Sequence, residues 1–158
     1  MQIRLLHEND LSETLDLVWH VFQEFEVPLY PPKGIKSFQE FIAYSNILSM
    51  YQEHKLIFWG CFHENQLIGT IALRGYSHVS LLFVKKEWHH RGVATYLFRT
   101  LYGYVTQHNQ AESITVNSSP YAIGFYKRIG FQEMSPEKEV DGIRFTPMEY
   151  FVRLQQFL

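Results

Sequence analysis

The chain has 158 residues, with 14 Lys+Arg against 16 Asp+Glu for a formal charge of −2, eight His and one Cys. A core of this size buries about 70% of the surface that the unfolded chain exposes, so no disulfide or metal staple is required. The lone Cys61 excludes an internal disulfide framework and a thiolate zinc cluster. The charge balance lacks the basic excess of a nucleic-acid binder, and no apolar run approaches the roughly 18–20 residues that span a bilayer.

An apolar fraction of 46% and an aromatic fraction of 16% point to an ordered globule. The start, Met1-Gln-Ile-Arg-Leu-Leu-His-Glu8, lacks the basic, apolar and small-residue order of a secretory signal. The expectation is a cytoplasmic protein with one domain over residues 1–158.

In chain order, Ile3–Leu6 suits a first strand. Leu15, Val18, Trp19, Phe22 and Phe25 form a helical stripe, with Asn9 or Ser12 as cap and Pro28 as stop. Val27–Gly34 holds three prolines and reads as a loop, and the Ser37–Glu40 capping box opens a second helix. Leu56–His63, Leu67–Leu73 and Val79–Val84 are three strands joined by short turns, hence antiparallel neighbours. Gly92–His108 returns to helical spacing, with Val93, Tyr96, Leu97, Leu101, Tyr104 and Val105 on one side. Ile114–Val116 is a strand, and Ser119-Pro120 starts a helix that stops at Gly130. Asp141-Gly142 turns between two closing strands, which Pro136 and Pro147 make irregular or edge-located. The fold class is α/β: a mixed, largely antiparallel central sheet flanked by helices on both faces.

Chemistry concentrates in two stretches. In Val84-Lys-Lys-Glu-Trp-His89-His90-Arg91-Gly92-Val93-Ala94-Thr95, a strand gives way to a helix whose first-turn N–H groups lack internal partners and carry partial positive charge. The small residues Gly92 and Ala94 admit a phosphate, and Arg91 adds a charge, as a pyrophosphate site requires. The nucleotide motifs G-x-G-x-x-G and G-x-x-x-x-G-K-[ST] do not fit. In the second stretch a strand ends at Asn117 and a short helix places Ala122, Tyr126 and Ile129 on one face, where Tyr126 also reads as a core aromatic.

His89-x-x-Gly92-x-Ala94 resembles the Q/R-x-x-G-x-G/A coenzyme-A signature of the GNAT superfamily of N-acetyltransferases, with His89 where Gln or Arg is usual. Asn117 followed by Ala122-x-x-x-Tyr126-x-x-x-Gly130-Phe131 resembles its second signature, and the element order matches over nearly the whole chain. The resemblance implies acetyl-CoA as co-substrate and the primary amine of a small molecule or protein as acceptor. It also implies a gap between the fourth and fifth strands that admits the thioester. On these terms the backbone of Leu82, Phe83 and Val84 pairs with the pantetheine arm. His89, His90, Arg91, Gly92, Val93, Ala94 and Thr95 surround the pyrophosphate, and Asn117 hydrogen-bonds the arm. Tyr126 donates a proton to the departing thiolate, and a backbone N–H near Leu82 or Phe83 stabilises the oxyanion.

His78 and Ser80, two apart and so on the same side of the strand, bring a histidine suited to removing the amine's proton near neutral pH. Glu24 and Glu26 are alternatives, or solvated helix-end charges. Tyr30 and Tyr44 are candidates for an acceptor pocket, whereas Trp19, Phe22, Phe25, Phe38 and Phe41 read mainly as core. No metal site is expected: His63-Glu64 lacks the second His of H-E-x-x-H, and His89-His90 has no third ligand beyond Glu87. A non-catalytic acyl-CoA sensor of the same fold is the rival reading, and a homodimer is compatible with either.

Overall fold

The computed structural model describes residues 1–152; the last six residues of the expected domain lie outside them. Strands β1 (Gln2–Leu5), β2 (Leu56–His63), β3 (Gln66–Arg74), β4 (His78–Val84), β5 (Ser113–Ser118), β6 (Gln132–Glu133), β7 (Lys138–Val140) and β8 (Ile143–Phe151) form the sheet. Its order is β1-β2-β3-β4-β5-β8-β6, with β7 on β8. Every pairing is antiparallel except β4 with β5. Helices α1 (Leu11–Phe25), α2 (Pro32–Phe41) and α3 (Tyr44–Gln52) precede β2, α4 (Val93–His108) joins β4 to β5, and α5 (Ile123–Ile129) follows β5.

The two-residue period of the strands divides the core between the faces of the sheet. Phe58 pairs with Ala72 and Trp59 with Ile71. Phe58 and Ala72 pack with Leu11, Leu15 and Val18 of α1 and Ile47 of α3, whereas Trp59 and Ile71 pack with Leu97 and Leu101 of α4. Val93, Leu97, Leu101 and Val105 form the buried stripe of α4, joined by Phe98; Tyr96, expected on that side, is 45% exposed.

Local chemistry moves several expected boundaries. Pro31-Pro32 opens α2 five residues before the Ser37 capping box, since proline's fixed φ suits a first helical turn. The segment then breaks at Ile42-Ala43, giving two helices where one was expected. Neither Asn9 nor Ser12 caps α1. Its N-cap is Asp10, whose carboxylate instead accepts from the His7 N–H at 2.8 Å and pairs with Arg4 at 3.0 Å. Ser119 closes the turn ahead of α5, accepting the Ala122 N–H at 3.2 Å on its hydroxyl, and the helix itself starts at Ile123. β8 is not an edge strand: β5 flanks one side, and Pro147, which has no N–H to give, lies opposite Asn117.

Candidate active site

Two irregularities in β4 create the site. Parallel pairing with β5 is limited to His78 with Thr115 and Val79 with Val116, after which the strands part. On the other edge, Ala72 pairs with Leu81 and Leu73 with Val79, so Ser80 is an extra residue, a β-bulge. The bulge reverses the alternation. Val79 joins the cluster with α4 and α5 whereas Leu81, two residues on, joins the one with α1 and α3. His78 and Ser80, on either side of Val79, both line the same cleft.

The gap widens into a cleft of about 1220 Å³. That exceeds the roughly 300–1,000 Å³ of a typical small-molecule site, leaving room for two reactants. Of the residues singled out from sequence, His78, Leu82, Phe83, Val84, His89, His90, Gly92, Val93, Ala94, Thr95, Asn117 and Tyr126 all line it. Arg91 does not: its guanidinium lies over the Trp88 ring at 4.9 Å.

At one end stands the first turn of α4. Gly92 caps it at φ 81°, a left-handed conformation that L side chains disfavour, and a Cβ there would meet open space. The helix therefore presents its unpaired first-turn N–H groups to the cleft. His89 is turned inward, its Nε2–H donating to the Val84 carbonyl at 2.7 Å and its ring 4.9 Å from that of Phe25. It braces the strand end against the helix start.

Tyr126 enters from α5. Its ring is 5% exposed and packs edge-on to Phe125 and Phe131 at 5.3 and 5.2 Å. Burial, with the Glu26 carboxylate adding, raises its hydroxyl well above the usual phenol range, so it stays protonated. Tyr126 is a core aromatic that also lines the cleft. His78, half-buried, shares a 2.8 Å hydrogen bond between Nδ1 and Thr115 Oγ1. Burial, and then the Arg74 charge, push its imidazole below its ordinary value, which favours the neutral form.

Glu26 departs furthest from expectation. It is the residue after α1, yet it is only 8% exposed, not a solvated helix-end charge. Burial raises its carboxyl, while the Ser119 and Tyr30 hydroxyls pull the other way by hydrogen bonding. Glu24 does remain outside, 3.8 Å from Lys86. Phe22, Phe25, Phe38 and Phe41, expected as core, line the cleft together with Tyr30, whereas Tyr44 borders a separate small hollow. Ser119, Tyr121 and the β7–β8 hairpin complete the wall. No local motif marks them, and the turn at Asp141-Gly142 was the one available signal.

The hairpin is fastened to α2. A Cβ on Gly34 would come within 2.1 Å of the Gly142 carbonyl oxygen, and Ser37 Oγ donates to the Asp141 carbonyl at 2.8 Å. Arg144 reaches Glu137 at 3.1 Å and the Leu29 carbonyl at 3.5 Å.

A splayed parallel pair beside a glycine-started helix places the chain in a recognisable structural class. A GCN5-related N-acetyltransferase from Rhodopseudomonas palustris is similar over 95% of this chain and 94% of its own, with a TM-score of 0.83 at 16% identity. The PaiA N-acetyltransferase of Thermoplasma acidophilum, solved with coenzyme A, is similar over 96% and 99%, with a TM-score of 0.75 at 20% identity. A spermidine N-acetyltransferase chimera from Vibrio cholerae and hSSAT is similar over the full length of both chains, with a TM-score of 0.68 at 15% identity. No curated protein matches the sequence. The acetyltransferase (GNAT) domain model matches residues 26–152, and the chain belongs to that family. Membership gives the activity its class, acetyl transfer from an acyl-CoA.

Proposed function

We propose that the chain moves the acetyl group of acetyl-CoA onto a primary amine by direct attack. The observation that carries this reading is the parting of β4 and β5 beyond Val79 and Val116, with the α4 first turn and Tyr126 on its walls. The amine nitrogen forms a bond to the thioester carbonyl carbon, and the carbon–sulfur bond breaks with its electron pair leaving on sulfur. Tyr126 gives that sulfur a proton. Neutral His78 takes a proton from the amine, directly or through water. A backbone N–H at Leu82 or Phe83 meets the oxyanion between the two events. The first turn of α4 holds the pyrophosphate, and Asn117, exposed at the end of β5, reaches the pantetheine arm. Two features support these roles: the raised Tyr126 hydroxyl suits a proton donor, and the depressed His78 imidazole suits an acceptor. N-acetyltransferases of amines such as spermidine share the fold.

Tyr126→Phe keeps the ring and its packing, so stability should change little. A general acid contributes about 10²–10⁴ in rate, and kcat should fall within that range while acetyl-CoA affinity holds. A folded variant with wild-type kcat, measured where chemistry limits the rate, contradicts the role.

A further inference from the structure

The wall of the cleft facing α1 and α2 holds one buried charge. Among the described residues, Glu26 is the only charged side chain in the buried class. A buried carboxylate costs several kcal/mol unless hydrogen bonds and a cation meet it. The Ser119 and Tyr30 hydroxyls favour the charged form, but their effect is smaller than that of burial. No cation among the described residues does the rest: Lys86 lies 3.8 Å from Glu24, and Arg144 lies 3.1 Å from Glu137.

Around this carboxylate the wall is made of rings. Phe22 stacks on Phe38 at 4.0 Å and on Tyr30 at 5.8 Å, and Phe38 meets Phe83 at 5.9 Å. All four line the cleft. A ring face attracts a cation and buries an apolar body equally well. The other carboxylate in the lining is Asp141, exposed in the hairpin turn, while Arg74 and Arg128 line it as positive charges. A polyamine or an aminoglycoside brings several ammonium groups, and beyond Glu26 the lining offers them this one exposed carboxylate against the positive Arg74 and Arg128.

Resting on the acetyl-transfer reading above, we propose that the acceptor is a compact monoamine with an aromatic or branched apolar body. Its ammonium lies beside Glu26 and its body against Phe22, Phe38 and Phe83. The ammonium supplies the cation that the buried carboxylate lacks. Before attack it gives one proton to neutral His78, directly or through water, and the acetylated product, being neutral, no longer holds to Glu26.

The test is calorimetry on protein saturated with coenzyme A, using 2-phenylethylamine, 2-phenylethanol, spermidine and kanamycin as probes. A hydrogen bond to a charged group is worth about 1.5–3 kcal/mol, so 2-phenylethylamine should bind roughly 10- to 100-fold tighter than 2-phenylethanol. It should also bind at least tenfold tighter than spermidine or kanamycin. Glu26→Gln should erase the gap between amine and alcohol. The wild-type comparison stands alone if that variant does not fold. Spermidine or kanamycin binding as tightly as 2-phenylethylamine, or an alcohol binding as tightly as the amine, overturns the acceptor class. Thiol release from acetyl-CoA is followed in parallel. Tight polyamine binding with amine-dependent release leaves acetyl transfer standing and removes only the monoamine. No release with any amine, the binding order intact, contradicts acetyl transfer itself and with it the acceptor role.

Discussion

The two walls of the cleft are recruited in different ways. The wall proposed for the cofactor comes from three short runs: the end of β4, residues 89–95 at the start of α4, and residues 117–126 from β5 into α5. Its chemistry is mostly backbone, shaped by Gly92 at φ 81°. The wall proposed for the acceptor gathers the end of α1, Ser37, Phe38 and Phe41 of α2, and the β7–β8 hairpin, brought together from opposite ends of the sequence. Its chemistry is side-chain chemistry around Glu26. A wall built from local backbone accepts one invariant partner, whereas a wall assembled from distant side chains can be refitted to another acceptor without disturbing the first. Substitutions on one wall should therefore leave the other's affinity alone.

The largest break in that symmetry should come from Gly92→Val. A β-branched residue resists a positive φ, and its side chain would occupy the open space before the helix. Losing one charge-assisted hydrogen bond of about 1.5–3 kcal/mol should weaken acetyl-CoA roughly 10- to 100-fold, with amine binding unchanged. Calorimetry on the folded variant checks both halves of the statement, and an unaltered acetyl-CoA affinity would remove the α4 first turn from the site.

Gly34→Ala attacks the other wall. The added carbon meets the Gly142 backbone at 2.1 Å, so the hairpin must move. Overpacking of this kind costs about 1–3 kcal/mol. The melting temperature should fall by several degrees and the amine KM should rise, while acetyl-CoA affinity stays at the wild-type value. A rise confined to acetyl-CoA would reverse the assignment of the two walls.

The smallest effect is a displaced pH limb. In its proposed role His78 takes a proton in its neutral form, so kcat/KM should fall as acid protonates it. Burial and Arg74 both lower its pKa, which puts that fall below the ordinary histidine value of 6.5. His78→Ala should lower the plateau and abolish this limb. A limb that survives in the variant assigns the titration to another group.

The same contrast explains what the sequence could reveal. The helix start at Gly92, the turn before α5 and the stop at Gly130 are set by neighbours within a few positions, and spacing exposes them. The antiparallel run β2–β3–β4 follows from its short turns. The bulge at Ser80 leaves no mark, because both strands look regular and only their pairing shows the extra residue. Glu26 looks like a helix-end charge because the groups that bury it, Ser119 and Tyr121 among them, arrive from the far side of the gap. Phe22 and Phe38 look like core for a related reason: an aromatic stripe has the same spacing whether it packs inward or lines a cavity.

The central claim is that one cleft joins acetyl-CoA to an amine. Its most direct test is amine-dependent release of the coenzyme A thiol by the wild-type protein, with the acetylated amine quantified by mass spectrometry. Release that rises with amine concentration, with one N-acetylated product formed per thiol, is the predicted result. Tight acetyl-CoA binding with no amine-dependent thiol and no acetylated product contradicts it, and leaves a protein that binds the thioester without passing it on.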